Sequence, residues 1–260
     1  MPSELDLSRA NHLSIRLSAG FNAESMLAGL LAVAELDDMM APLFFRQVFP
    51  TLAEKGYGLT LTRARVSEIQ GWRAQITLPE EPTHGHHHHH SLIDILSFYD
   101  EEAKLSEKAL DAVEKIWLTL AKAEGAVHGA APESVHFHEV GRLSNRIAIA
   151  LIATLLERLG VTLSASPIPV ADGVIECAHG FVANPAPATL AMLPGLPVMP
   201  FAGTGEAITP TGLAILIGLG VKFGPWPEMT VLRQEVAYTR QVFEGVPNGA
   251  RFILGELAQE

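Results

Sequence analysis

The stretch YGLTLTRARVSEIQGWRAQITL, residues 57–78, decides the fold class. Apolar residues recur here at every second position: Leu59 and Leu61, Ala64 and Val66, then Trp72, Ala74 and Ile76. Period two is the signature of strands with one buried face, and two such runs in succession read as a hairpin, with Gln70-Gly71 as the expected turn. On either side the period changes to that of helices. Upstream, Asn22 can cap a helix starting near Ala23 with Met26, Leu27, Leu30, Leu31 and Ala34 along it. Pro42 can open another, carrying Phe44, Phe45, Val48 and Leu52 and ended by Gly56. Before them, Leu13, Ile15 and Leu17 alternate with Ser14 and Arg16 as a first strand.

Downstream, residues 79–90 are polar and hold no periodicity, so they read as a loop. Ser91 and Asp94 form a capping box for a short helix over Leu92–Tyr99. An amphipathic helix follows over Lys104–Ala123, then a strand at Ser134–His138 and a buried helix over Leu143–Leu159 closed by Gly160. The remainder is rich in proline and glycine. It reads as short strands with helices at Ala188–Leu193 and Thr211–Leu219 and final strands at Val231–Tyr238 and Arg251–Leu257. The expectation is a mixed α/β (α+β) fold of several short strands with packed helices, whose strand order periodicity cannot give. It forms one domain over residues 1–260, with a mobile His-rich loop at 79–91.

Composition narrows the function. Of 260 residues, 48% are hydrophobic, enough for a sizeable core and too many for a disordered chain. Lys and Arg number 18 against 29 Asp and Glu, for a net charge of −11. Nucleic acid needs clustered cations and is excluded as a partner by this balance. An acidic surface also repels anionic membranes. The longest apolar run, Ile147–Leu156, is about half the ~20 residues a bilayer requires. A single cysteine, Cys177, allows no internal disulfide, and Met1–Ser14 lacks the layout of a signal peptide. The cytoplasm is the expected compartment.

Four segments could carry chemistry. His84-Gly85-His86-His87-His88-His89-His90 offers a run of imidazoles, which suit Ni(II), and also Zn(II), Co(II) or Cu(II). A terminal tag can look alike, but this run has coherent protein on both sides. His136 and His138 alternate with Phe137 on a strand and so share a face, beside Glu139. They are either a metal or phosphate pair or two hydrogen-bonded residues flanking the core. Cys177 and His179 form a soft pair at i, i+2, or else the thiol is a small buried hydrophobe. Thr209 can cap a helix opened by Pro210, and the N–H groups near Thr211 and Gly212 could receive a phosphate. An ordinary helix start would use the same residues. No Walker A loop, dinucleotide fingerprint, H-E-x-x-H or G-x-S-x-G occurs.

The order of these segments is more telling than any one alone. The His run is followed by Ser91-Leu92-Ile93-Asp94-Ile95 and His136-Phe137-His138-Glu139-Val140-Gly141. Then come Cys177-Ala178-His179-Gly180, Pro185-Ala186-Pro187-Ala188-Thr189-Leu190 and Thr209-Pro210-Thr211-Gly212. From about Leu13 to Leu257 the chain resembles the LarC family, nickel-insertion proteins that complete the nickel-pincer cofactor of lactate racemase. The resemblance implies delivery of Ni(II) into a pyridinium bis-thiocarboxylate mononucleotide, a cyclometallase (lyase-class) activity. It also implies CTP with Mg2+ or Mn2+, used through a further C-terminal domain that a separate partner protein would supply here. On this basis His84, His86, His87, His88, His89 and His90 would collect the metal. His136, His138 and His179 would form an inner site, and Thr209, Thr211 and Gly212 would hold the nucleotide-like precursor. Two departures stand out. The opening segment Ile15–Met26 keeps only Glu24 of the acidic residues expected near it, and Ser144 and Ala148 stand where the family has aspartates. Losing those carboxylates removes oxygen ligands or bases. A non-catalytic nickel or zinc storage or buffering protein is therefore the alternative reading.

Overall fold

The computed structural model describes residues 7–79, 90–137, 140–177 and 180–258. In chain order the first elements are β1 (His12–Arg16), α1 (Ala23–Val33), α2 (Met40–Val48), α3 (Pro50–Glu54), β2 (Gly58–Val66) and β3 (Ile69–Thr77). There follow β4 (His90–Ser91), α4 (Leu92–Glu102), α5 (Glu107–His128), β5 (His136–Phe137), α6 (Leu143–Leu159), β6 (Thr162–Ala165) and β7 (Ile168–Val170). The chain continues through β8 (Val174–Cys177), β9 (Gly180–Ala183), α7 (Pro187–Met192), β10 (Val198–Pro200), α8 (Pro210–Gly218) and β11 (Lys222–Phe223). It closes with β12 (Met229–Ala237) and β13 (Ala250–Leu257). The fold is mixed α/β, as the alternation of periods implies.

Seven strands form one sheet in the order β11-β6-β1-β13-β12-β3-β2. β1 is central because its neighbours come from far along the chain: β6 pairs with it in parallel and β13 antiparallel. Its Leu13 and Ile15 are fully buried against the helical layer, where α1 lies across β3, β12 and β13. The helix sits close enough that a Cβ on Gly29 would fall 2.1 Å from the ring of Phe252, so only glycine fits there. α6 packs beside α1, and α5 covers α6, α7 and α8. Ile147 to Leu156 are buried throughout, which explains a long apolar run with little amphipathic pattern. No helix among the described residues is long and apolar enough to cross a membrane.

The other face of β1 is buried but polar. His12 has both ring nitrogens engaged, Nδ1 with Thr162 Oγ1 at 2.7 Å and Nε2 with Ser164 Oγ at 2.8 Å. Arg16 donates to the carbonyls of Gly224 and Pro225 and lies over Trp226. The alternation at Leu13–Leu17 therefore marks two buried faces of different chemistry.

Several boundaries depart from the sequence reading. The hairpin turns at Ser67-Glu68, not Gln70-Gly71: Val66 pairs with Ile69, and both turn residues have positive φ (48° and 63°). That is the geometry of a two-residue loop matched to strand twist. Gly71 lies in the ladder because a Cβ there would meet the Val236 carbonyl at 2.6 Å. The helix expected from Pro42 starts at Met40, where Asp37 accepts from the N–H groups of Met39 and Met40. It breaks at Phe49, and Pro50 opens α3 as the first helical residue. The helix before Ala103 reaches Glu102, and α5 runs from its Ser106 cap to His128, where Gly129 takes the left-handed conformation. The strand at Ser134–His138 shrinks to His136–Phe137 among the described residues, because Pro132–Ser134 forms a 3-10 turn.

Candidate functional site

Three helices begin at one place. α1 is capped by Asn22, whose Oδ1 accepts from the Ser25 N–H at 2.9 Å while Ser25 Oγ accepts from the Asn22 N–H at 3.0 Å. α8 is capped by Thr209, whose Oγ1 accepts from the Gly212 N–H at 3.1 Å, with Pro210 in the first turn. α6 begins after Arg142 with no side-chain cap. The first two starts are locked together by backbone: Gly20 and Phe21 both donate to the Ala207 carbonyl at 2.9 Å, and Thr209 donates to Phe21 at 3.0 Å. Gly212 belongs to this lock, since a Cβ on it would meet the Phe21 carbonyl at 2.7 Å. It thus serves the close approach of the two helix starts.

Between these helix starts and the inner edge of β8 lies a cavity of about 550 Å³. Asn22 and Glu24 come from α1, Ser144 and Asn145 from α6, Thr209 and Thr211 from α8. Glu176 and Cys177 of β8, Arg142 and Glu206 complete the parts used below. A smaller cavity of about 250 Å³ shares Asn22, Glu24, Glu206 and Thr209 with it and adds Arg240. Each helix start presents roughly half a positive charge. Three carboxylates line the same cavity: Glu24, in the first turn of α1 itself, and Glu176 and Glu206. Burial pushes the Glu24 carboxyl above its ordinary range, and the attraction of Arg240, 4.0 Å away, offsets this only in part. The cavity thus gathers helix starts of partial positive charge and glutamate side chains around one space.

A buried relay holds the α6 wall. Trp117 Nε1 donates to the Tyr99 hydroxyl at 2.7 Å, which donates to the Arg146 carbonyl at 3.0 Å. Arg146 Nε in turn donates to the Gly141 carbonyl at 2.9 Å, tying the first turn of α6 to the segment before it. Burial raises the Tyr99 hydroxyl pKa, so it stays protonated.

The sequence-derived candidates fall into three groups. His84, His86, His87, His88 and His89 lie outside the described residues, as do His138 and His179. His90 and His136 are described and lie on adjacent strands: β4 and β5 pair antiparallel, with His90 opposite Phe137 and Ser91 opposite His136, so the two histidines fall on opposite faces of the pair. Phe137 is fully buried, edge-on to Trp117 at 5.4 Å, while His136 is exposed, so the alternation expected on this strand holds for that pair. Thr209 and Thr211 line the cavity. Of the two positions where the resemblance expects aspartate, Ser144 faces the cavity and Ala148 is fully buried. Among the described residues no three His, Cys, Asp or Glu side chains are placed to hold a metal. Sequence reading missed Asn145 and Arg240 as wall residues. Neither was marked by a motif, and only the folding of distant segments onto one place brings them there.

The fold is mixed α/β, with three helix starts and three glutamates meeting at one cavity. The sequence model of the nickel insertion protein family matches residues 13–260, and the chain belongs to that family. Relatives whose names propose nickel insertion include one from Geobacter metallireducens, 36% identical, covering 88% of this chain and 58% of its own length. Another, from Geobacter sp. strain M21, is 35% identical over 93% of this chain and 62% of its own. A third, from Rhodopirellula baltica, is 38% identical over 76% and 50% respectively. The chain thus spans about three fifths or less of the length of these relatives. No solved structure matches it.

Proposed function

We propose that this chain delivers nickel into a nucleotide-like organic cofactor precursor, of the pyridinium bis-thiocarboxylate mononucleotide kind that its LarC resemblance implies. The observation that carries this reading is the pairing of β4 with β5. It sets the end of the histidine run against the strand of His136, and that strand leads through Val140 and Arg142 into the cavity wall. Nickel, the substrate, would be collected by His84 and His86–His90 and passed to His136, His138 and His179. It would then meet the precursor, whose phosphate sits at the Thr209–Thr211–Gly212 turn. Zinc and cobalt bind the same imidazoles, so selection among metals would rest on supply. CTP with Mg2+ or Mn2+ would belong to a further domain or partner protein, and the cyclometallase reaction would need it. Cytoplasmic placement follows from the same reading.

Isothermal titration with Ni(II) at neutral pH tests this, using the full chain and a variant with His86–His90 replaced by serine. The expected result is more than one nickel on the wild type and a single tighter site retained in the variant. Unchanged stoichiometry would remove the collector role. Loss of all binding would leave a histidine-loop buffer and end the insertion reading. Acidification below pH ~6.5 should release the collected ions, because imidazoles protonate there.

A further inference from the structure

We infer that the meeting point of α1, α6 and α8 is an oxyanion site for a phosphate-monoester dianion, with Ser144 and Thr211 as the side chains that select it. This deepens the reading above and rests on it only for the molecule that carries the phosphate.

Helices of 11, 17 and 9 residues start on this one cavity, so their partial positive charges add where an anion would sit. The N–H groups of Ser144 and Thr211 fall in first turns, where no carbonyl of the same helix can serve them. Neither has a hydrogen-bond partner among the described residues. The independent observation is the Thr211 hydroxyl. Thr211 is only 4% exposed and lines the cavity, yet its side chain bonds to no described residue. Its oxygen is not sealed off from solvent, so it opens on the cavity, where it can pair with a group that enters. Arg142 adds a cation to the same wall. Donors arrive from two helix starts and from the Arg142 guanidinium, which suits the several oxygens of a phosphate monoester better than the two of a carboxylate.

The opposing groups are Glu24, Glu176 and Glu206, which would repel a dianion. Burial favours protonation of Glu24, which weakens its share of that repulsion. Glu176 and Glu206 line the same cavity and would attract a cation there, so Ni(II) should tighten phosphate binding and phosphate should tighten nickel binding by the same factor.

The test is titration of the full chain with inorganic phosphate, with and without Ni(II), and with acetate as the planar control. Ser144→Ala removes the hydroxyl at the second helical position and keeps a good helix former there, so lost binding cannot be read as lost folding. The expected outcome is a loss of about tenfold in phosphate affinity, the scale of one hydrogen bond to a charged group, with an undiminished melting temperature. Thr211→Val should weaken binding, and Thr211→Ser should restore it. Phosphate binding to Ser144→Ala equal to that of the wild type, or acetate bound as tightly as phosphate, would overturn the assignment. Nickel binding without phosphate binding would reject this site and leave the metal reading standing. Phosphate binding without nickel binding would do the reverse.

Discussion

Replacing Tyr99 by Phe deletes one oxygen from the centre of the relay behind the α6 wall. Tyr99 is 2% exposed and Trp117 fully buried, so no water can replace the hydroxyl. The Trp117 N–H would lose its acceptor, 2.7 Å away, and a stranded buried donor costs about 1–3 kcal/mol. The Arg146 carbonyl would lose a second donor but keep its place in the α6 ladder, adding at most about 1 kcal/mol. The sum, roughly 1–4 kcal/mol, exceeds the benefit of one less polar atom in the core. With a urea dependence of about 3 kcal/mol per molar, the denaturation midpoint should fall by roughly 0.3–1.3 M with unchanged slope. Adding Trp117→Phe removes the stranded donor, so the double variant should lose less than the sum of the single losses. A midpoint shift under about 0.2 M for Tyr99→Phe would refute the reasoning, because it would mean that the indole finds another acceptor.

Gly29→Ala should destabilise by about 2 kcal/mol or more in thermal melts. The gain of up to ~1 kcal/mol in helix propensity is outweighed by a Cβ placed 2.1 Å from the buried Phe252 ring, and Phe252→Leu should recover part of the loss. Glu24 binds its proton more readily folded than unfolded, so it destabilises the fold as pH rises through its raised pKa. Glu24→Gln should therefore raise the melting temperature at neutral pH, with a gain that vanishes below pH ~4.5, and an equal gain at all pH values would contradict this. His12 shows the opposite sign. Burial first, and the charge of Lys222 second, lower its pKa, so its protonation is resisted in the fold and stability drops as pH falls below about 6.5. His12→Asn should flatten the melting temperature between pH 7 and 5, and a wild-type profile already flat there would count against it.

Much of the fold was legible because local physics fixes it. The Asn22, Ser91 and Thr209 caps and the full extent of α6 depend on side chains within a few residues of one another. The hairpin itself was legible from its period. Its turn was not, since Gly71 resembles a turn residue and is glycine for a different reason, the nearness of Val236, more than 160 positions away. The second helix was misread at Phe49 because the apolar pattern continues across the break.

For the candidate site the division is similar. The sequence by itself determined which residues are chemically able: the histidine run, the His136 strand, Cys177, and Thr209 as a cap. It also determined the family, through the order of those segments. Only the tertiary structure decided that α1, α6 and α8 start on one cavity and that Ser144 faces it while Ala148 does not. The same holds for His90 lying opposite Phe137. The physical reason is range. A cap or an alternating strand is set by neighbours a few residues apart, whereas the cavity depends on the Phe21–Ala207–Thr209 backbone lock and the β1–β6 and β1–β13 pairings. Those join segments about 150 to 240 residues apart, whose approach no local pattern records.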